Sequence, residues 1–280
     1  MNMLFLDKHE IGAPLPRTDE RVKHILRVLG KGAGDELLAG TPDGMIGTAN
    51  IKAFDGNAMT FAFRPEREAP PLKPITLILG FPRPIQANRI LKDLSSLGVA
   101  HIMLSGTELG EKSYFQSDFF KNREFRAALV EGAAQAANPR LPVVDTAWTL
   151  ARALDQMDEL HELDELDVID DEDDVAELED LDAPPEPDLS PASRLWGEGT
   201  RWAFDPYRAK TAFGAVSLPA VTDGAPLVLA IGSERGWTPA ELDLLADRGF
   251  SFASLGDRIL KTETAAVTAV AVALSKFGYV

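Results

Sequence analysis

Cysteine is absent from all 280 residues. That excludes disulfide staples, thiolate metal sites and a cysteine nucleophile. Histidine is scarce, with four residues well apart in the chain, so no metal-ligand spacing exists and no metal is expected. Long apolar runs are missing too. The most apolar helical stretch, 265–274, is too short to span a bilayer, so no membrane partner is expected. Residues 1–6 lack a basic segment leading a long apolar core, which predicts no secretory leader and a cytoplasmic location. Neither a Walker-type Gly-Lys-Ser/Thr loop nor Gly-x-Gly-x-x-Gly occurs, so the common nucleotide cradles are excluded.

Positive charge is short overall, with a formal balance of −16. Spread evenly, that would argue against a nucleic-acid partner. It is concentrated instead. Residues 155–188 hold 18 of the 44 acidic residues and no lysine or arginine, which leaves 26 acidic against 28 basic residues elsewhere. The remaining surface is therefore free to carry basic patches. The block itself is expected to be a partly helical, mobile insertion that ends in the proline-rich 183–187, since like charges repel.

The chain is organised around two glycine turns near its C-terminus. Five apolar residues, 227–231, run into Gly232-Ser233-Glu234-Arg235-Gly236-Trp237, and Thr238-Pro239-Ala240-Glu241 then reads as a capping box. This pattern predicts a buried parallel strand that hands over to a helix through a backbone-rich loop. The arrangement repeats with a strand over 250–255, a turn from Gly256 to Leu260, and a helix opened by Thr262 as N-cap. Two adjacent turns of this kind would rim one pocket with bare N–H and C=O groups.

Ahead of them, a helix is expected over 20–29, with Val22, Ile25, Leu26 and Leu29 on its inner face. Arg21, Lys23, His24 and Arg27 take the rest of its surface. Short strands over 36–39, 45–54 and 58–63 suggest a small barrel, and the proline-rich 64–74 reads as a linker. Strands over 75–79, 99–104, 141–144 and 201–204 alternate with helices over 90–97 and 119–137, which argues for a mostly parallel sheet.

"IGSERGWTPAE" followed by "LGDRILKTETA" resembles the paired cofactor motifs of the RsmE-type small-subunit rRNA uridine methyltransferases of the SPOUT superfamily. The resemblance extends over most of the chain. It implies an α/β fold with a PUA-like RNA-binding barrel over 1–69 and a trefoil-knotted SPOUT domain over 70–280, interrupted by the acidic insertion 155–188. It also implies S-adenosylmethionine as cofactor, small-subunit rRNA or the assembling small subunit as partner, and a homodimer. The expected reaction is methylation of uridine ring nitrogen 3.

The residues expected around the cofactor are Ile231, Gly232, Ser233, Glu234, Gly236, Leu255, Gly256, Ile259, Leu260 and Thr262. Glu234 and Arg258 are the expected catalytic pair, as orienting carboxylate or base and as a stabiliser of negative charge. His24, Arg27, Arg83, Lys112, Tyr114 and Lys261 are the expected RNA contacts. Several positions depart from the family pattern: Ser233 replaces proline, Arg235 replaces glycine, and Asp205 precedes Pro206 where histidine is frequent. Arg235 must find an allowed backbone conformation, and its bulk is expected to narrow the pocket. Alternative readings are the same fold acting on another RNA, or an RNA-binding ribosome-assembly protein without catalysis.

Overall fold

The computed structural model describes residues 2–167, 201–218 and 227–280. In chain order it starts with β1 (Leu4–Phe5), β2 (Pro14–Pro16), α1 (Glu20–His24), β3 (Glu36–Gly40), β4 (Met45–Phe54) and β5 (Ala58–Glu68). Next come β6 (Lys73–Gly80), α2 (Pro84–Leu97), β7 (Val99–Ser105), α3 (Lys112–Phe115), α4 (Asp118–Lys121) and α5 (Arg126–Ala136). The remainder is β8 (Val143–Ala147), α6 (Leu150–Asp167), β9 (Arg201–Phe204), β10 (Leu227–Ile231), α7 (Pro239–Asp247), β11 (Ser251–Ala253) and α8 (Thr262–Lys276). Two compact units emerge. One holds residues 1–73, 85–98 and 118–142, and the other holds 74–84, 99–117 and 143–280.

Among the described residues of the first unit, five strands form a curled sheet in the order β1-β3-β4-β5-β2. Its inner face buries Leu4, Leu6, Leu37, Ile51, Met59 and Phe61 against Val22 and Ile25 from the helical segment. β5 runs to Glu68, so residues 64–68 are strand where a linker was expected. The cause is long-range pairing: Arg64 and Pro65 sit opposite Thr48 and Gly47, next to a bulge in β5 at Glu66. A bulge tolerates the missing proline N–H.

The helix expected over 20–29 is α-helical only to His24 and continues as a π turn, 25–29. The Gly30 and Lys31 N–H groups both reach back to the Ile25 carbonyl, with Gly30 in the left-handed region at φ +64°. The wider turn shifts the helical phase. Val22 and Ile25 stay fully buried, but Leu29 is 40 % exposed, against the expected inner position, and Val28 is 68 % exposed. The expected helix 119–137 is also broken, into α4 and α5, where Arg123 takes φ +53°.

Among the described residues, the second unit carries a six-stranded sheet in the order β11-β9-β10-β6-β7-β8. The pairs β6–β10, β9–β10, β9–β11 and β7–β8 are all parallel. Every residue of β10 is buried, as its unbroken apolar run requires. β8 lies two residues later than expected, because Pro142 cannot donate to a ladder, and β11 is only three residues long. Leu150, Ala153, Leu154 and Met157 of α6 form a helical stripe packed with Ile78, Met103, Val228 and Leu245.

The acidic block therefore begins on a packed helix. The Arg248 guanidinium donates to Asp155 at 2.6 Å and to Asp158 at 3.0 Å, and Arg201 donates to Asp158 at 3.3 Å. The Asp155 carboxylate holds the Arg248 pKa above its ordinary value. Residues 168–200 lie outside the described residues, including most of the acidic block and its proline-rich end.

Candidate functional site

β10 delivers the chain at Ile231 to the first glycine turn, and the turn is closed by its own backbone. The Gly236 N–H donates to the Ser233 carbonyl at 2.8 Å, with Gly236 at φ +76°. Only glycine adopts that conformation without strain. A Cβ on Gly232 would meet the Gly236 carbonyl carbon at 2.8 Å, so the two ends of the turn touch. Ser233 is buried, and its hydroxyl lies 3.4 Å from the Gly236 carbonyl. Arg235 is absent from the positive-φ residues and so fits the turn without strain, while its side chain lies exposed along the cleft.

The turn is held from both sides. Gly80, at the end of β6, approaches so closely that a Cβ there would lie 2.3 Å from the Ser233 nitrogen. Downstream, the capping box forms as read from the sequence. Thr238 N–H donates to Glu241 Oε2 at 2.9 Å, and Glu241 N–H donates to Thr238 Oγ1 at 3.2 Å. The buried Glu241 also accepts from Glu108 N–H at 2.9 Å, which ties the loop after β7 to the start of α7.

The second turn follows β11. Ser254 is anchored to the neighbouring segment by Ser254 N–H to Thr211 O at 2.9 Å and Phe213 N–H to Ser254 O at 2.8 Å. Gly256 takes φ +118°, with open space where a Cβ would point. Helix α8 then starts at Thr262, with Lys261 as N-cap. The expected N-cap role of Thr262 is thus corrected: it is the first helical residue, buried against the cleft.

Both turns wall a single cleft of 320 Å³ at the C-terminal edge of the sheet. All ten residues expected around a cofactor line it, and so do Arg258 and Arg235. Arg235 leaves it open. Sequence reasoning set Asp205 near the pocket without giving it a role, and did not name Trp237 or Tyr207 as parts of the wall. Trp237 is buried at its base, Tyr207 is 83 % exposed at its mouth, and Asp205 is buried with its Oδ1 accepting from the Tyr207 and Arg208 N–H groups at 2.9 and 2.6 Å. Asp205 therefore caps the loop leaving β9, and the Asp-Pro pair at a strand end was its only signal in the sequence.

The volume lies in the range of small-molecule sites. The glycines of both turns leave peptide groups bare along the rim, suited to the edge of a nucleoside base. The residues present thus fit an adenosine-bearing cofactor.

The polar residues at the mouth are coupled. Glu234 accepts from the Arg83 N–H at 3.2 Å, and Arg83 Nε donates to the Tyr114 hydroxyl at 2.9 Å. Lys112, on α3, and Lys261 are exposed in the same unit. His24 and Arg27 belong to the first unit. There the end of α1 and the π turn that follows it set them, with Val28, along a separate cleft of 480 Å³ that Lys92 and Gln135 also line.

Arg21 anchors that cleft. Its guanidinium donates to Glu10 at 2.6 Å, to Asp19 at 2.7 Å and to the Phe5 carbonyl at 2.8 Å. The Arg21 hydrogen bond holds the Glu10 carboxyl below its usual range. For Asp19, burial pushes upward, but the hydrogen bonds from Arg21 outweigh it and the net shift is downward. Among the described residues, no group of three or more His, Asp or Glu side chains is placed to hold a metal, and no helix is long and apolar enough to cross a membrane.

Known proteins are similar to this chain in sequence and in fold. The ribosomal RNA small subunit methyltransferase E of Treponema pallidum (strain Nichols) is 33% identical over 281 residues, covering 98% of this chain and 91% of the relative. The ribosomal RNA small subunit methyltransferase E 1 of Borreliella burgdorferi is 26% identical, covering 99% and 98%. Among solved structures, the ribosomal RNA small subunit methyltransferase E of Neisseria gonorrhoeae, bound to S-adenosyl methionine, matches the fold with a TM-score of 0.64. It is 19% identical, with 98% of this chain and 97% of that chain covered. The family described as RNA methyltransferase domain matches residues 68–196 and 198–274, and with a relative one-third identical over nearly its whole length, this chain belongs to that RNA methyltransferase family.

Proposed function

We propose that the protein is an S-adenosylmethionine-dependent methyltransferase acting on ring nitrogen 3 of a uridine in small-subunit rRNA, free or within an assembling small subunit. The observation that carries this reading is the convergence of two glycine turns on one open cleft in a chain of this family. The names of the two curated relatives support the substrate class, and the bound molecule of the Neisseria structure supports the cofactor.

When bound, S-adenosylmethionine supplies a methyl group made electrophilic by a positively charged sulfur. The peptide groups of residues 231–236 and 255–260 would hold its adenosine, and Thr262 adds a hydroxyl at the cleft wall. Ring nitrogen 3 of uridine carries a proton at neutral pH and must shed it before or during attack. Glu234, whose carboxylate accepts from Arg83 N–H, takes that proton or orients the base in this reading. Arg258 lines the same cleft and stabilises the negative charge that develops on the uridine. The target nitrogen lies on the pairing edge, so the base enters unpaired. Arg83, Lys112, Tyr114 and Lys261 then contact RNA around the cleft, while His24 and Arg27 contact it from the first unit.

The unstrained Arg235 and the open cleft favour catalysis over a binding-only role. In this reading residues 1–69 form the PUA-like RNA-binding domain and 70–280 the catalytic domain with its acidic insertion. The enzyme works in the cytoplasm as a homodimer, for which Ile259, 75 % exposed beside the cleft, offers apolar surface. The test is transfer of labelled methyl from S-adenosylmethionine to small subunits from a strain lacking the gene, followed by mass mapping of the modified nucleotide. Label on ring nitrogen 3 of one uridine is the expected result; no transfer to any rRNA overturns the proposal.

A further inference from the structure

Beyond the cofactor cleft, the same sheet edge carries an aromatic step. Phe81 follows β6, and its N–H donates to Ser105 O, the last residue of β7, at 2.9 Å. Its ring meets Phe115 of α3 edge-on, with centroids 4.9 Å apart. Phe115 in turn lies against Trp148, with centroids 3.7 Å apart and planes tilted by 44°. Trp148 follows β8 directly, and its backbone packs so tightly on Gly106 that a Cβ there would lie 2.0 Å from the Trp148 carbonyl oxygen. The indole is therefore held in place by its backbone and by the tilted Phe115 ring, yet it is 59 % exposed. A large aromatic ring that is held in place and exposed offers a flat face on which another ring can stack.

Its surroundings select the occupant. Arg83 and Tyr114 are joined by a hydrogen bond beside Phe115, and Lys112 opens the helix that carries Phe115. An exposed indole stacked on a ring whose helix carries Lys112 and, through Tyr114, holds Arg83 matches single-stranded RNA, whose bases offer flat faces and whose backbone is anionic. We propose that Trp148, braced by Phe115, stacks a base that flanks the methylated nucleotide, with Arg83 and Lys112 taking adjoining phosphates. β8 stands three strands from β10, about 14 Å at ordinary strand spacing. Methyl transfer needs reacting atoms about 3–3.5 Å apart, so the base on Trp148 is a neighbour and not the target itself. This inference rests on the RNA-methylating reading above and adds a recognition element for the substrate.

The test uses the full chain and a fluorescent single-stranded oligoribonucleotide carrying the uridine site mapped by methyl transfer. Trp148→Ala should weaken its binding about five- to 100-fold, while Trp148→Phe retains most of it. Affinity for S-adenosylmethionine should stay unchanged in both. Stacking is not a charge effect, so Trp148→Ala should keep the wild-type salt dependence, whereas Lys112→Ala should flatten it. Indole fluorescence should fall on RNA binding, and that quench should vanish in Trp148→Phe. Wild-type methylation together with unchanged RNA affinity in Trp148→Ala would overturn the stacking role and leave the proposed function standing. A change in oligomeric state without loss of RNA affinity would assign the ring to a protein contact and overturn it as well. If the wild-type chain binds no RNA, both readings fall.

Discussion

Gly80→Ala tests whether the close approach of β6 to the first glycine turn matters. The added Cβ would meet three backbone atoms: Ser233 N at 2.3 Å, Gly232 C at 2.8 Å and Ser233 Cα at 2.9 Å. Backbone cannot rotate away as a flexible side chain can. Ordinary contact begins near 3.4 Å, so β6 and the turn must separate by about 1 Å. Overpacking of this kind costs about 2 kcal/mol. For a unit of this size that lowers the melting temperature by about 4–8 °C. The same displacement moves the cleft wall, and a 1 Å misplacement costs about 10²-fold in the chemical step. Thermal melting by circular dichroism and single-turnover methyl transfer measure the two effects. Gly214→Ala is the control, since its Cβ meets nothing within 4 Å and its φ is not positive. If Gly80→Ala melts and turns over like Gly214→Ala, the argument that Gly80 sets the turn is wrong.

Gly236→Ala should act differently, because its Cβ has space and only the φ of +76° is strained; the cost is about 1–2 kcal/mol, read as roughly tenfold weaker S-adenosylmethionine binding in calorimetry. Glu234→Gln keeps an acceptor for Arg83 N–H but loses the charge, so kcat should fall by about 10²-fold or more with cofactor affinity unchanged. An unaltered kcat would remove Glu234 as the base. Arg21→Leu strands two half-buried carboxylates and should cost about 3 kcal/mol in denaturant unfolding, by loss of the first unit. Glu10 and Asp19 have lowered pKa values in the folded state, so their contribution is complete above the ordinary carboxylate range and is lost as pH falls through the lowered values. The acid limb of a stability profile should therefore be steeper in the wild-type chain than in Arg21→Leu below about pH 4.5.

Local chemistry was legible without coordinates. An unbroken apolar run identified β10, the Thr238–Glu241 box formed as read, and the two glycine turns put ten named residues on one cleft. Each of these rests on a few consecutive residues, whose φ preferences and capping groups act at short range. The largest error has the opposite cause, and the others are small shifts of helical phase and cap position. Residues 64–68 look like a proline-rich linker and become strand through pairing with Thr48 and Gly47. Leu29 fits the helical stripe but is turned outward by a π turn that periodicity cannot register. Thr262 reads as a cap and is displaced by one position.

What the amino-acid order determined by itself was therefore the kinds of elements, the turn chemistry and the family pattern. Which elements lie side by side was decided only in three dimensions. β10 pairs with β6, placing Leu229 opposite Leu77 across a long stretch of intervening chain, and β9 comes between β10 and β11. That order brings Gly80 under the first turn, Arg83 to Glu234, and Phe81, Phe115 and Trp148 into one aromatic step. Such contacts are selected by burial and hydrogen bonding of whole strands, and no local pattern encodes them.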